Sequence, residues 1–164
     1  MAEIVRLAGH SDLVEEVGVL RWREWGYGDP SPEAWVETTR REAGGDVLPM
    51  TLVAIDGDGH ALGAVALGEA DDALTDAERA GRTPWLLGMV VAPAARLHGV
   101  GRDLVAALEH LARGRGHQQV WVVTGDRAVG FYRACGWVAA EVLVTTRENL
   151  PSTVLLRRLQ PDGG

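Results

Sequence analysis

At 164 residues, 46% hydrophobic and 24% charged, the chain has the size and composition of one soluble globular domain with a real core. No stretch approaches the ~20 apolar residues of a membrane span, and MAEIVRLAGHSD lacks the basic-then-apolar order of a secretory signal, so a cytoplasmic protein without a membrane partner is expected. The net charge is −7 and all 16 basic residues are arginine, which sets nucleic acid aside and excludes lysine Schiff-base and P-loop chemistry; the single cysteine, Cys135, excludes an internal disulfide and a cysteine metal cluster.

In chain order, residues 4–7 read as a short strand. Residues 12–25 follow as a helix with Leu13, Val14, Val17, Leu20 and Trp25 near a helical period. GYGDPSPEAW ends that helix and opens another, with Ser31 as its cap, Pro32 in its first turn and Gly44 and Gly45 closing it. MTLVAIDGDGHALGAVALGE predicts a hairpin of strands Met50–Ile55 and Ala61–Gly68 about a turn at 56–60. Residues 69–84, acidic and turn-rich, read as a loop.

After that loop, WLLGMVVAP predicts an uninterrupted apolar strand. HGVGRDLVAALEHLARGRG predicts a helix burying Leu104, Ala107, Leu108 and Leu111, and QQVWVVT predicts another strand. Strand, crossover helix and strand imply a parallel pair. AVGFYRACGW reads as a short helix ending at Gly136, and VAAEVLVTT and TVLLRRL as two late strands around ENLPS. The expectation is one domain over 1–160, with a disordered tail at 161–164 and no internal repeat.

The segment VVAPAARLHGVGRDLV concentrates the chemistry. Pro93 ends the strand, Arg96 brings a fixed positive charge, and Gly99 and Gly101 let the backbone turn tightly and approach a ligand without a Cβ in the way. Unpaired amides at the start of the following helix, its dipole and the arginine together make an anion site suited to phosphate or pyrophosphate. The same residues also suit an ordinary tight strand-to-helix turn. A dinucleotide fingerprint would need a third glycine at position 104, which holds Leu104, and a P-loop would need Gly-Lys-Ser/Thr, which is absent.

Arg96-Leu97-His98-Gly99-Val100-Gly101 resembles the R/Q-x-x-G-x-G/A acyl-CoA signature of the GNAT superfamily of N-acetyltransferases, and RAVGFYRACGW resembles that family's A-x-x-x-Y-x-x-x-G-F/W segment. The resemblance runs from about Trp85 to Trp137. It implies an α/β (α+β) fold with a mixed, mostly antiparallel central sheet, splayed parallel central strands and flanking helices. It also implies acetyl-CoA as co-substrate, with no metal. Backbone groups of Met89, Val90 and Val91 would pair with the pantetheine arm, and one amide, of Met89 or Val90, would polarise the thioester carbonyl. The pyrophosphate would lie on Arg96, Leu97, His98, Gly99, Val100, Gly101 and Arg102. Tyr132 falls where the family places a tyrosine that protonates, or hydrogen-bonds to, the departing sulfur; packing of its helix on the sheet is the other use of such a residue. Phe131 reads as core.

Two positions depart from the family pattern. The family often has an asparagine seven residues before the tyrosine, where this chain has Gly125, and many members carry a glutamate base on the strand WLLGMVV, which has none. The acidic residues Glu69, Asp71 and Asp72, on the loop leading into that strand, become the candidates for the base; a solvated loop explains them equally well. Glu24, Trp25 and Tyr27, with Trp22 and Trp35, lie where the family's early helices border the acceptor, and suit a cationic amine as well as helix packing. The five histidines show no metal-ligand spacing.

The expectation is an N-acetyltransferase acting by direct attack in a ternary complex, its acceptor the primary amine of a small cationic molecule. Acetylation of a protein or peptide amine, and a non-catalytic CoA-binding module, are the alternatives. Because the superfamily's members often dimerise, a homodimer is a further expectation.

Overall fold

The computed structural model describes residues 2–161, so the end of the expected tail, 162–164, lies outside the described residues. Strands β1 (Glu3–Arg6), β2 (Met50–Ile55), β3 (Ala61–Gly68), β4 (Trp85–Val91), β5 (Gln119–Thr124), β6 (Val138–Val144) and β7 (Pro151–Arg158) form one sheet in the order β1-β2-β3-β4-β5-β7-β6. The helices are α1 (Leu13–Trp25), α2 (Glu33–Arg41), α3 (Asp76–Arg79), α4 (Val100–Gly114) and α5 (Asp126–Ala134). The pairs β1–β2, β2–β3, β5–β7 and β6–β7 are antiparallel; β4–β5 is parallel and registered at Trp85↔Trp121, at its start. The mixed, mostly antiparallel sheet flanked by helices is therefore as expected. Among the described residues no helix is long and apolar enough to cross a membrane.

Contacts divide the chain into two compact units, one of the residues up to Leu67 with Gly88–Leu108, the other of Gly68–Leu87 with the residues from Glu109 onward. In the first, Leu13, Val14 and Val17 of α1 pack with Leu7, Val53, Ala64 and Val90, all buried. Each of the leucine and valine side chains contributes roughly 1.5–3 kcal/mol when fully withdrawn from water. Helices α1 and α2 approach so closely at Gly18 that a Cβ there would lie 2.6 Å from Val36 Cα. The β2–β3 turn is held by Asp56, whose Oδ1 accepts from the amides of Asp58 and His60 at 2.9 Å each, the short-range Asx geometry that DGDGH favours.

The second unit is built on Leu74, Trp85 and Val154, with Leu87, Trp121, Val123 and Leu143 against them. Trp137 Nε1 and Arg157 Nε both donate to Oε1 of the buried Glu109, at 3.0 and 3.1 Å. A carboxylate with two donors on it tolerates burial that an unpaired one would not.

Three local expectations need correction. The segment 69–84 is not loop throughout: Thr75-Asp76-Ala77-Glu78 forms a capping box, with Glu78 N donating to Thr75 Oγ1 and Thr75 N to Glu78 Oε1, and this nucleates α3. Ser31 does not cap α2, which starts at Glu33 behind Pro32 without a side-chain cap. The first strand ends at Arg6, and Leu7–Gly9 forms a 3₁₀ turn that buries Leu7.

Candidate active site

Strand β4 carries a break in its middle. Gly88 has φ +56°, a left-handed conformation that a side chain adopts at a cost, so the backbone of Met89 and Val90 turns relative to an ideal strand. Ala92 N then donates to Leu62 O at 2.8 Å, Pro93–Ala95 makes one 3₁₀ turn, and the chain enters the loop 96–99. Along β3, Gly63 accommodates Val90: a Cβ at Gly63 would lie 2.6 Å from the Val90 carbonyl oxygen.

In the loop, Leu97 and Gly99 both have positive φ, +66° and +82°, and the Leu97 side chain is fully exposed. A leucine held left-handed in the open is strained, and strain of this kind gathers where backbone must be aimed. Asp103 N donates to Gly99 O at 3.0 Å, so Gly99 caps α4. The amides of Val100, Gly101 and Arg102, in its first turn, have no carbonyl four residues back to bond. Helix-start amides, the helix dipole and an adjacent arginine are together the chemistry that can receive an anion such as a pyrophosphate.

Arg96 folds back on the strand end: its Nε donates to Val91 O at 3.1 Å and its Nη2 to Glu24 Oε2 at 2.7 Å. Glu24, read as an acceptor residue, is thus brought onto the anion loop. The pair is about half exposed and so worth little. His98 Nδ1 sits 2.8 Å from Arg96 O, fixing the ring to the loop. Trp25 stacks on Trp35 with ring centroids 6.3 Å apart, and Trp22 Nε1 and Trp35 Nε1 both reach Asp29. Tyr27, 91% exposed, stands in solvent.

Tyr132, on α5, is 4% exposed, between Phe131 (5.1 Å, edge-on) and Trp137 (5.5 Å). Burial pushes its phenol up from the ordinary tyrosine range. Gly125 N-caps α5 without a side-chain hydrogen bond.

Of the three acidic candidates, Glu69 and Asp72 are exposed and Asp71 is more enclosed. Asp71 Oδ1 accepts from Ala73 N at 2.9 Å, and burial, helped by Asp72 and Glu148, pushes its carboxyl above the usual range. That raises its affinity for a proton, as a base requires. Among the described residues no three His, Cys, Asp or Glu side chains are grouped to hold a metal.

One residue went unnoticed in the pattern of the sequence. Arg21 continues the series Val14, Val17 and Gly18 on the buried side of α1 and is itself 3% exposed. An arginine at an apolar helical position was the available signal.

Residues 14–137 match the model of the acetyltransferase (GNAT) family. No curated protein is significantly similar to the sequence. Solved structures share its fold over nearly the whole chain. An aminoglycoside 6'-N-acetyltransferase complexed with coenzyme A is 15% identical, with 99% of both chains covered and a TM-score of 0.77. An aminoglycoside 6'-acetyltransferase type Ii is 19% identical over 98% of this chain and 99% of its own, at 0.75. The aminoglycoside 6'-N-acetyltransferase from Enterococcus faecium is 18% identical over 99% of both, at 0.70. At such identities the likeness is one of fold.

Proposed function

Because the chain belongs to the acetyltransferase (GNAT) family, we propose that it transfers the acetyl group of acetyl-CoA to the primary amine of a small cationic molecule by direct attack in a ternary complex. The observation that carries this reading is the left-handed turn at Leu97 and Gly99 that leads into the first turn of α4, directly after strand β4 with its left-handed Gly88. The solved neighbours are named for aminoglycosides, which are amino sugars, and one holds coenzyme A. The net charge of −7 supports a cationic acceptor independently, by drawing it to the surface.

In this reading the loop amides and Arg96 hold the pyrophosphate, and the Met89 or Val90 amide donates to the thioester oxygen. As the amine adds to the carbonyl carbon, negative charge grows on that oxygen, and a preorganised amide stabilises it without reorganisation. The carbon–sulfur bond then breaks. Tyr132 donates to the departing sulfur, and Asp71, directly or through water, takes the proton released by the amine. Glu24, Trp25 and Tyr27 border the acceptor.

The test is release of free CoA thiol from acetyl-CoA with purified protein, comparing a panel of small cationic amines with a panel of peptides. Release with the amines alone supports the proposal, and release with the peptides alone would replace it by the protein-acetylating alternative. Gly125 and the missing strand glutamate favour a CoA-binding module as the second reading, which predicts acetyl-CoA binding with no release from either panel. Gly101→Glu places a negative charge and a side chain on the second helical position. Calorimetry should show acetyl-CoA affinity reduced at least about ten-fold with folding retained; unchanged affinity would remove the loop from the reading.

Asp71→Asn should lower kcat/KM about ten-fold, since water still offers a route, and should abolish the acid limb of the pH profile. The sign follows from the raised carboxyl: the base works only once ionised, so the rate of the unmodified protein climbs as pH passes that raised value. An unchanged limb in the variant would pass the role to Glu69, Asp72 or solvent.

A further inference from the structure

Arg21 is the one charged side chain of α1 among the buried residues of that helix, and its two edges are used differently. Nη1 donates to Thr39 Oγ1 at 3.2 Å and to Glu42 Oε1 at 3.1 Å, tying α1 to α2 and the residue after it. Nε and Nη2 are buried with no hydrogen-bond partner. That second edge lies against Gly88: a Cβ there would stand 2.9 Å from Nη2 and 3.2 Å from Nε and Cζ.

Tying the helices together accounts for Nη1 alone. Two buried donors without partners are unfavourable, and a methionine would fill the same space without them. A guanidinium stays ionised even when buried, so what the position holds is a fixed cation. Glu42, partly open to solvent, offsets part of its field and lies on the Nη1 side. The opposite side faces the left-handed residue of β4, one Cα step of about 3.8 Å from Met89.

We propose that Arg21 is a positioning residue for acyl transfer: it fills the space left by the missing Cβ at Gly88, fixes the break in β4, and sets a positive charge behind the Met89 and Val90 amides where the thioester oxygen becomes negative. The inference rests on the acyl-transfer reading above. In a low-dielectric interior such a charge is felt over several ångströms, and it favours the charged oxygen over the neutral carbonyl.

The experiment compares R21M, R21Q and R21K with the unmodified protein. Steady-state thiol release gives kcat and KM, and difference infrared spectroscopy gives the carbonyl stretch of bound carbonyl-¹³C acetyl-CoA. R21M and R21Q should lose kcat about 10- to 100-fold, as for other groups that act through a neighbour, with KM for acetyl-CoA within about two-fold. R21K should recover much of the loss. The carbonyl band should lie lower in the unmodified protein and R21K than in the neutral variants.

A neutral variant with kcat within about two-fold of the unmodified protein, or with the same carbonyl band, overturns the proposal. Equal losses in all three with a lowered thermal midpoint also overturn it, since that is a purely structural role. R21Q keeps a donor for Thr39 and Glu42 should R21M not fold. If the unmodified protein binds acetyl-CoA without turnover, the band decides; if it does not bind acetyl-CoA, the acyl-transfer reading fails and the role of Arg21 falls with it.

Discussion

Tyr132→Phe is expected to lower kcat about 10²- to 10³-fold, the range for loss of one preorganised hydrogen bond to a developing charge, while acetyl-CoA binds within about two-fold of the unmodified protein. The substitution deletes one oxygen from a side chain that is 4% exposed and packed against Phe131 and Trp137, so the ring contacts survive. Burial pushes the phenol up, which makes Tyr132 a weaker acid than a free tyrosine. An ordinary thiol has a pKa of about 8.5, below that of the buried phenol, so full transfer to the thiolate is uphill. Tyr132 therefore acts by hydrogen-bonding to the sulfur as its charge develops, and solvent completes the protonation. Two readouts follow. The kcat profile of the unmodified protein should show no falling limb from tyrosinate up to about pH 10, where a free tyrosine would titrate. Turnover of the phenylalanine variant at the unmodified rate would leave Tyr132 as a packing residue and return the leaving-group problem to water.

What was legible in the sequence was local. The hairpin bounds Met50–Ile55 and Ala61–Gly68 were readable because two apolar runs flank a turn whose Asp56 closes on its own neighbours. The start of α4 after its glycine loop was readable for the same reason, since a helix start needs nothing beyond the next few residues. The four residues of α3 were legible too, as Thr75 three before Glu78, but an acidic, turn-rich composition masked them. Arg21 and Gly88 were not readable as a pair. Each has a meaning only when α1 is laid against β4, residues 67 apart in the chain, and no local pattern reports that meeting. The pairing of Arg96 with Glu24 is of the same kind.

Gly63 shows what such a non-local requirement implies for stability. Gly63→Val is expected to lower stability by about 3 kcal/mol and the thermal midpoint by roughly 6–12 °C in a chain of this length. A Cβ there lies 2.6 Å from the Val90 carbonyl oxygen, 3.2 Å from Leu104 Cδ1 and 3.3 Å from Val91 Cα. Leu104 is a side chain and can shift; the carbonyl and Cα are backbone and can move only if β4 moves. Gly63 is also paired with Ala54 across β2, so β3 cannot retreat without opening that ladder. Because Val90 is proposed to meet the pantetheine arm, acetyl-CoA affinity should fall with stability. Gly63→Ala already supplies the offending atom and should show most of the loss, whereas Gly99→Ala meets nothing within 4 Å and should cost only about 1 kcal/mol, for its left-handed backbone. Thermal denaturation of the three variants separates the two reasons for glycine: a Gly63→Ala midpoint equal to that of Gly99→Ala would mean that β4 yields to the added methyl and that close approach does not hold Val90 in place.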